Sequence, residues 1–367
     1  MRWMLFTLIL IHGLIHFMGV AKAFGFAELP QLTHPVSRGM GTVWLFAGLV
    51  LLATAALLIG APRVWWAAGL GAVLLSQAAV ISSWSDAKFG TIANVVILAG
   101  VVYGFASQGP LSFAAEYRRE VQERLAQPES PQMVTEADLT ALPAPVQHYL
   151  RGAGAVGQPR VHHFEATWRG RIRATAHDRW MEFTAKQYNV VDERARFFLM
   201  DATRSGLSVD VYHVFRENAA TMRVWLLSLV PLVNASGPEL DRAETVTLFN
   251  DLCLLAPAAL TDPAIRWEPI DADSARARYT VGSVTIGAVL SFNEAGELVN
   301  FVSDDRLVAS ADGTQFTRQR WSTPVTDYRH FGPRRVMTRG EGRWHPPEGE
   351  FVYLEMELLD LDINGRQ

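Results

Sequence analysis

Four uncharged, strongly apolar runs occupy the first 108 residues of this 367-residue chain, and they constrain its fold more than any other feature. A helix needs roughly 20 apolar residues to cross about 30 Å of hydrocarbon, and Trp3–Ala21, Thr42–Gly60, Val64–Ser83 and Phe89–Phe105 each approach that length. Hydrocarbon offers the backbone no partners, so such runs must bond internally as helices. A cleavable leader, with Arg2 as its basic flank, accounts for the first run alone and not for three more. The turn Ala61-Pro62-Arg63 leaves room only for a hairpin between the second and third spans. Trp3, Trp44, Trp65, Trp66 and Trp84 fall at span ends, where an amphipathic indole prefers the headgroup layer.

Four spans put both termini on one side of the membrane. With the N-terminus inside, the inner flanks carry Arg2, Arg63, Arg118, Arg119 and Arg124, and the outer loops carry Lys22, Arg38 and Lys88. That excess favours a multi-pass protein whose C-terminal domain is cytoplasmic rather than periplasmic. His12 and His16 lie four apart in the first span and share a helix face. They read either as interhelical hydrogen-bonding groups for Ser76, Gln77 or Asn94, or as part of a metal, haem, proton or quinone contact. The polar loops Glu28–Arg38 and Ser85–Gly90, with Lys22, fall on one face of the membrane. They read as helix ends that snorkel or as a small polar site.

Behind the spans the chain changes character. Residues 1–108 carry five basic and two acidic side chains, a net of +3, and the remainder carries 28 and 35, a net of −7. An acidic domain lacks the basic footprint that phosphate backbones require, so nucleic acid is not an expected partner. The single cysteine, Cys253, rules out an intrachain disulfide framework and a multi-cysteine metal site. Residues 109–158 read as a charged juxtamembrane helix (Ser112–Gln127), a linker at Pro128-Glu-Ser-Pro131, and a short helix over Thr135–Leu150 opened by a Thr135/Asp138 capping box. From residue 159 to 367 the period becomes two. Phe164, Ala166, Trp168, Gly170 and Ile172 alternate with charged neighbours, as do Leu207, Val209 and Val211, the run Ala275–Val281, and Val284–Phe292. Turns follow at Asn293–Gly296 and Ala311-Asp-Gly313. Ten or eleven strands are expected, interrupted by one apolar helix at about 239–260 with a break near Pro257. The fold class is therefore a four-span α-helical membrane domain plus a mainly antiparallel β (α+β) domain, a curved sheet or unclosed barrel wrapping one helix.

The stretch Glu244–Leu260 with Trp267 and the strands to Gly296 resembles an uncharacterised bacterial four-span membrane-protein family, as do Leu142–Leu150, Asp86–Asn94 and Tyr328–Trp344. That likeness implies the architecture and no activity. The strand-rich part is weakly similar to lipoprotein-carrier half-barrels of the LolA and LppX type, which implies a greasy concavity that holds acyl chains. Gly19–Gly25 has a faint likeness to DoxX-type membrane modules.

Few residues suggest chemistry. No phosphate-cradling glycine loop, nucleophile elbow or His-Glu-x-x-His helix is present, and no cofactor or metal is implied. Adjacent His162 and His163 point to opposite strand faces. Glu355 and Glu357 share a face and read as a solvated pair more readily than as an acid–base couple. Asp251 stands out as a carboxylate in an almost wholly apolar helix, where it needs a partner: strand backbone, an arginine or a ligand head group. The leading expectation is a membrane-tethered domain that binds a lipid or similar hydrophobic ligand. Phe164, Trp168, Phe183, Val211, Leu290 and Phe292 would line the hollow, with Asp251 on the covering helix. The alternatives are a redox, metal or quinone-interacting membrane subunit that uses the intramembrane histidines, and a structural or assembly protein with a membrane-protein partner.

Overall fold

The computed structural model describes residues 2–125, 132–310 and 314–365, so the linker expected at 128–131 and the turn at 311–313 lie outside the described residues. The chain separates into two compact units, Met1–Glu116 and Tyr117–Gln367.

In the first unit all four expected spans are helices: α1 (Arg2–Phe24), α2 (Arg38–Gly60), α3 (Trp65–Ser82) and, after the single turn α4 (Trp84–Ala87), α5 (Gly90–Gln108). Each is long and apolar enough to cross a bilayer. Small residues set the helix spacing. A Cβ on Gly19 would strike the Trp44 ring, and one on Gly13 would come within 3.1 Å of Leu51 Cβ. Backbones approach this closely in lipid because packing, not water exclusion, holds spans together. His12 Nε2 lies 3.0 Å from both Ser76 Oγ and Asn94 Oδ1. Asn94 Nδ2 in turn donates to Gln77 Oε1 at 2.9 Å. The histidine thus joins α1 to α3 and α5 by interhelical hydrogen bonds. Trp3 and Trp84 are exposed, as interface anchors would be, but Trp44 and Trp65 turn inward to cover Gly19 and Gly104. Asp86 clamps the loop before α2, accepting from the Thr33 backbone N–H at 2.8 Å and from its hydroxyl at 2.7 Å. Those bonds, the hydroxyl's first, hold its carboxyl below the usual carboxylate range.

The second unit takes in α6 (Phe113–Leu125) from Tyr117 onward, then α7 (Glu136–Leu139) and α8 (Ala144–Gly152). The Thr135/Asp138 capping box is present. The single helix expected over 135–150 is in fact two, because Pro143 excludes Leu142 from helical geometry. Seventeen strands follow among the described residues, against the ten or eleven read from periodicity. Their ranges are β1 (His163–Ile172), β2 (Met181–Val190), β3 (Ala195–Arg204), β4 (Leu207–Arg216), β5 (Ala219–Leu226), β6 (Val230–Ser236), β7 (Ile265–Pro269), β8 (Ser274–Val281), β9 (Val284–Phe292), β10 (Leu298–Ser303), β11 (Leu307–Ala309), β12 (Phe316–Arg318), β13 (Trp321–Thr326), β14 (Arg329–Phe331), β15 (Arg334–Val336), β16 (Arg339–Trp344) and β17 (Phe351–Ile363). Thirteen of them form one antiparallel sheet in the order β6-β5-β4-β3-β2-β1-β17-β16-β13-β10-β9-β8-β7. The surplus over expectation is mostly three-residue strands in side hairpins, too short to show a period.

The helix α9 (Pro238–Leu255) and a 3₁₀ turn at Pro257–Thr261 connect one edge strand, β6, to the other, β7. A single connection between opposite edges forces the sheet to curl, and α9 packs on β5 and β6 from one side and on β9 and β10 from the other. Most of its residues are buried, which is why its apolar side chains run round the helix and not along one stripe. Tyr149 donates from its hydroxyl to the Cys253 carbonyl at 2.7 Å, fixing α8 against α9.

Candidate functional site: a hollow beneath the wrapped helix

Strand register shows how the concave face is built. Phe164, Asn189, Arg196 and Phe215 form one cross-strand row, and Ala166, Gln187, Phe198, His213 and Met222 form the next. Trp168, Ala185, Met200, Val211 and Val224 form the third. The first two rows carry polar groups and the third does not. Between these rows, the facing strands β13, β16 and β17, and α9 lies a cavity of about 260 Å³. Trp168, Met200, Val211, Leu254, Val325 and Met356 give it a mainly apolar wall.

At its polar end the charges are paired. Arg196 Nε donates to Asp251 Oδ2 at 2.6 Å, and Gln187 Nε2 donates to the same oxygen at 2.7 Å. One helical face up, seven residues earlier, stands Glu244. Its Oε2 lies 3.5 Å from His213 Nε2 and 3.7 Å from Arg196 Nη1, and its Oε1 accepts from Thr247 Oγ1 at 3.0 Å and lies 3.5 Å from Arg306 Nη1. Arg306 also donates to the Ala243 carbonyl at 2.7 Å and stacks over Trp321 at 4.7 Å. Glu244 is 1% exposed, Arg196 6% and Asp251 8%. Charges this deep persist only when matched, because the desolvation of each costs several kcal/mol.

Burial pushes the His213 imidazole down to about 4 against the pull of Glu244, with Arg196 and Arg306 adding to the push. Burial drives the Asp251 carboxyl up, with Arg196 resisting. Burial also acts to raise Glu244, but His213, then Arg306 and Arg196, outweigh it and hold the carboxyl below the ordinary range. With His213 itself neutral above about 4, the permanent charges facing Glu244 are Arg306 and Arg196. The cluster then holds two cations and two anions.

Of the residues singled out from the sequence, Trp168, Phe183, Val211 and Asp251 line the cavity. Phe164, Leu290 and Phe292 do not. All three are buried in packed core, Phe292 against Tyr149 at 5.6 Å between ring centres. The sheet is therefore hollow over β1–β5 and solid over β8–β10, where Phe249 stacks on Tyr279 at 5.0 Å and meets Phe301 at 5.7 Å. In the apolar segment Val224–Val233, Val224, Leu226 and Val233 pack against the core, whereas Leu229, Val230 and Leu232 at the hairpin end are exposed. Glu355 and Glu357 are paired with Arg171 and Arg169 on the outer face. Sequence reading missed Gln187, Arg196, His213, Glu244 and Arg306. A usable signal existed: the first three occupy apolar-register positions of otherwise alternating strands, and Glu244 precedes Asp251 by two helical turns. Among the described residues no three metal-ligating side chains converge.

The model of a family of unknown function, DUF6544, matches residues 132–356, well over half of the chain. Among curated proteins none matches. Among solved structures, a LolA superfamily protein from Nitrosomonas europaea is similar at 12% identity and a TM-score of 0.34, over 60% of this chain and 94% of that one. A DUF1329 family protein from Desulfovibrio piger is similar at 12% identity and a TM-score of 0.33, over 61% and 93%. Likenesses of this size carry no functional argument.

Proposed function

The chain belongs to the DUF6544 family of unknown function, and from the hollow rather than from that membership we propose that its sheet unit binds a lipid or another hydrophobic ligand while its four spans anchor it in a membrane. The cavity beneath α9 carries this reading. A hollow of about 260 Å³ leaves its apolar wall short of packing partners, and those dispersion contacts are lost while no guest is present. A guest chain recovers the loss at about 0.8 kcal/mol per buried methylene. The volume lies just under the range of roughly 300–1,000 Å³ usual for small-molecule sites, which suits one acyl or similar chain and not a whole diacyl lipid. The paired charges at one end and the apolar wall at the other match an amphipathic guest.

Native mass spectrometry of the full chain released from membranes tests the reading. A bound single-chain species is expected; a protein that emerges empty and ignores added fatty acids and fatty alcohols overturns it. In an inner membrane, the proposed location, the basic flanks Arg63, Arg118, Arg119 and Arg124 favour this unit on the cytoplasmic side. Reporter fusions after residue 127 that are active only outside the cytoplasm would reverse that orientation.

A further inference from the structure

We infer that the polar end of the ligand, granted the binding role proposed above, is an uncharged group that both donates and accepts hydrogen bonds, a hydroxyl or a primary amide, seated against Glu244, His213 and Arg306. Two observations carry this. The first is a set of unused hydrogen-bonding atoms. Glu244 Oε2, His213 Nε2 and Arg306 Nε are all buried, and none has a hydrogen-bond partner, although all three residues line the cavity. Asp251 differs: its Oδ2 already receives Arg196, Gln187 and, at 3.4 Å, Asn189. A buried polar atom left open is unfavourable, so the site offers an acceptor, a donor and a ring nitrogen to whatever enters.

The second observation is charge balance. Arg196 and Arg306 face Glu244 and Asp251 at hydrogen-bond or ion-pair distance. An incoming carboxylate, sulfate or phosphate would stand against two carboxylates already served, and an ammonium against two guanidinium groups. Either brings a buried charge with no counterpart. A hydroxyl or amide carries no such cost. Its N–H or O–H meets the Glu244 carboxylate and its oxygen accepts from Arg306 Nε. Arg196 and Asp251 remain undisturbed.

The test keeps the apolar chain constant and varies the head. The full chain is placed in phosphatidylcholine nanodiscs and offered chain-diazirine analogues of dodecane, dodecanol, dodecanamide, dodecyl sulfate and dodecyltrimethylammonium. After irradiation, adducts on peptides bearing Trp168, Met200 and Met356 are divided by adducts on the four spans, which report the membrane concentration of each probe. Dodecanol and dodecanamide should label the hollow at least tenfold more than either charged probe and severalfold more than dodecane. Dodecane equal to dodecanol would overturn the head-group assignment and leave the cavity reading intact. Dodecyl sulfate or the ammonium probe in the lead would also overturn it. No labelling of the hollow by any probe would sink the binding role itself. In Glu244→Gln the cluster loses one negative charge, so capture of dodecyl sulfate should rise relative to wild type. An unchanged ratio in a folded variant contradicts the charge argument. Should that variant not fold, the wild-type series decides alone.

Discussion

Arg196 and Asp251, 55 residues apart, meet through a 2.6 Å bond from guanidinium Nε to carboxylate Oδ2 in the interior of the curled sheet. It ties the wrapped helix to β3. Removing one partner leaves the other charge buried and unmatched, which typically costs about 3–5 kcal/mol. Asp251→Ala in the full chain should therefore lower the unfolding free energy of the sheet unit by that order, read from urea transitions followed by tryptophan fluorescence in micelles. The double replacement Arg196→Met with Asp251→Leu removes both charges and should regain most of the loss. A double variant no more stable than Asp251→Ala would show that the bond itself, and not the orphaned charge, decides stability.

Filling the hollow should separate binding from folding. Val211 lies in the apolar row, and half-buried, beside Met200. In Val211→Trp the indole takes up space that is otherwise void. Overpacking of a solid core costs about 1–3 kcal/mol, but here stability should hold or rise while bound amphiphile disappears from native mass spectra. A strongly destabilised Val211→Trp would mean that the walls leave no usable space.

The neutral imidazole of His213 gives a signed pH dependence. Its proton affinity in the fold, at about 4, is below the unfolded value of 6.5, burial being the main cause. Between those values the unfolded chain holds a proton that the folded chain does not, so stability falls as pH drops from about 6.5 toward 4. One such group contributes at most about 1.4 kcal/mol per pH unit. Asp251, raised in the fold, works the opposite way, and Glu244, lowered, adds to the loss only at more acid pH. The informative quantity is the difference between wild type and His213→Gln in thermal midpoint from pH 7 to 5. The variant should show the shallower decline, and parallel slopes would refute the assignment.

What could be read in advance divides along the range of the forces involved. The spans are legible because hydropathy is a local sum, and β1, β4, β8 and β9 because one-sided burial writes itself as alternation. The Thr135/Asp138 cap is legible because its partners are three residues apart. The pairing of β1 with β17 is not, since it closes nearly the whole sheet unit on itself and no local pattern names the partner. The division into hollow and solid halves is equally hidden. Val211 and Leu290 sit in the same kind of apolar register, and only Phe249, Tyr279 and Phe301 arriving from elsewhere decide that one is packed over and the other is not. Arg196 and His213 stand in the sequence as polar side chains at apolar-register positions, a signal that sequence reading missed. Their partner Glu244 was visible only as a helical offset from Asp251, a weak signal until the helix is known to be enclosed.

The first unit makes an independent prediction at Gly19. A side chain there would run into the Trp44 ring, which itself meets the His16 ring in a tilted contact, 5.2 Å between centres. Water cannot drive these helices together, so their affinity rests on contact over a close approach. A leucine at this position would push α2 outward and uncover the His16 ring as well. Gly19→Leu should therefore weaken the assembly of the spans by about 1–3 kcal/mol, the usual cost of forcing bulk into a filled contact. The expected readout in micelles is an earlier loss of helical ellipticity, with the fluorescence transition of the sheet unit unmoved because the two units have separate cores. A Gly19→Leu protein whose spans melt as wild type does would mean that the α1–α2 contact at Trp44 contributes nothing to their association.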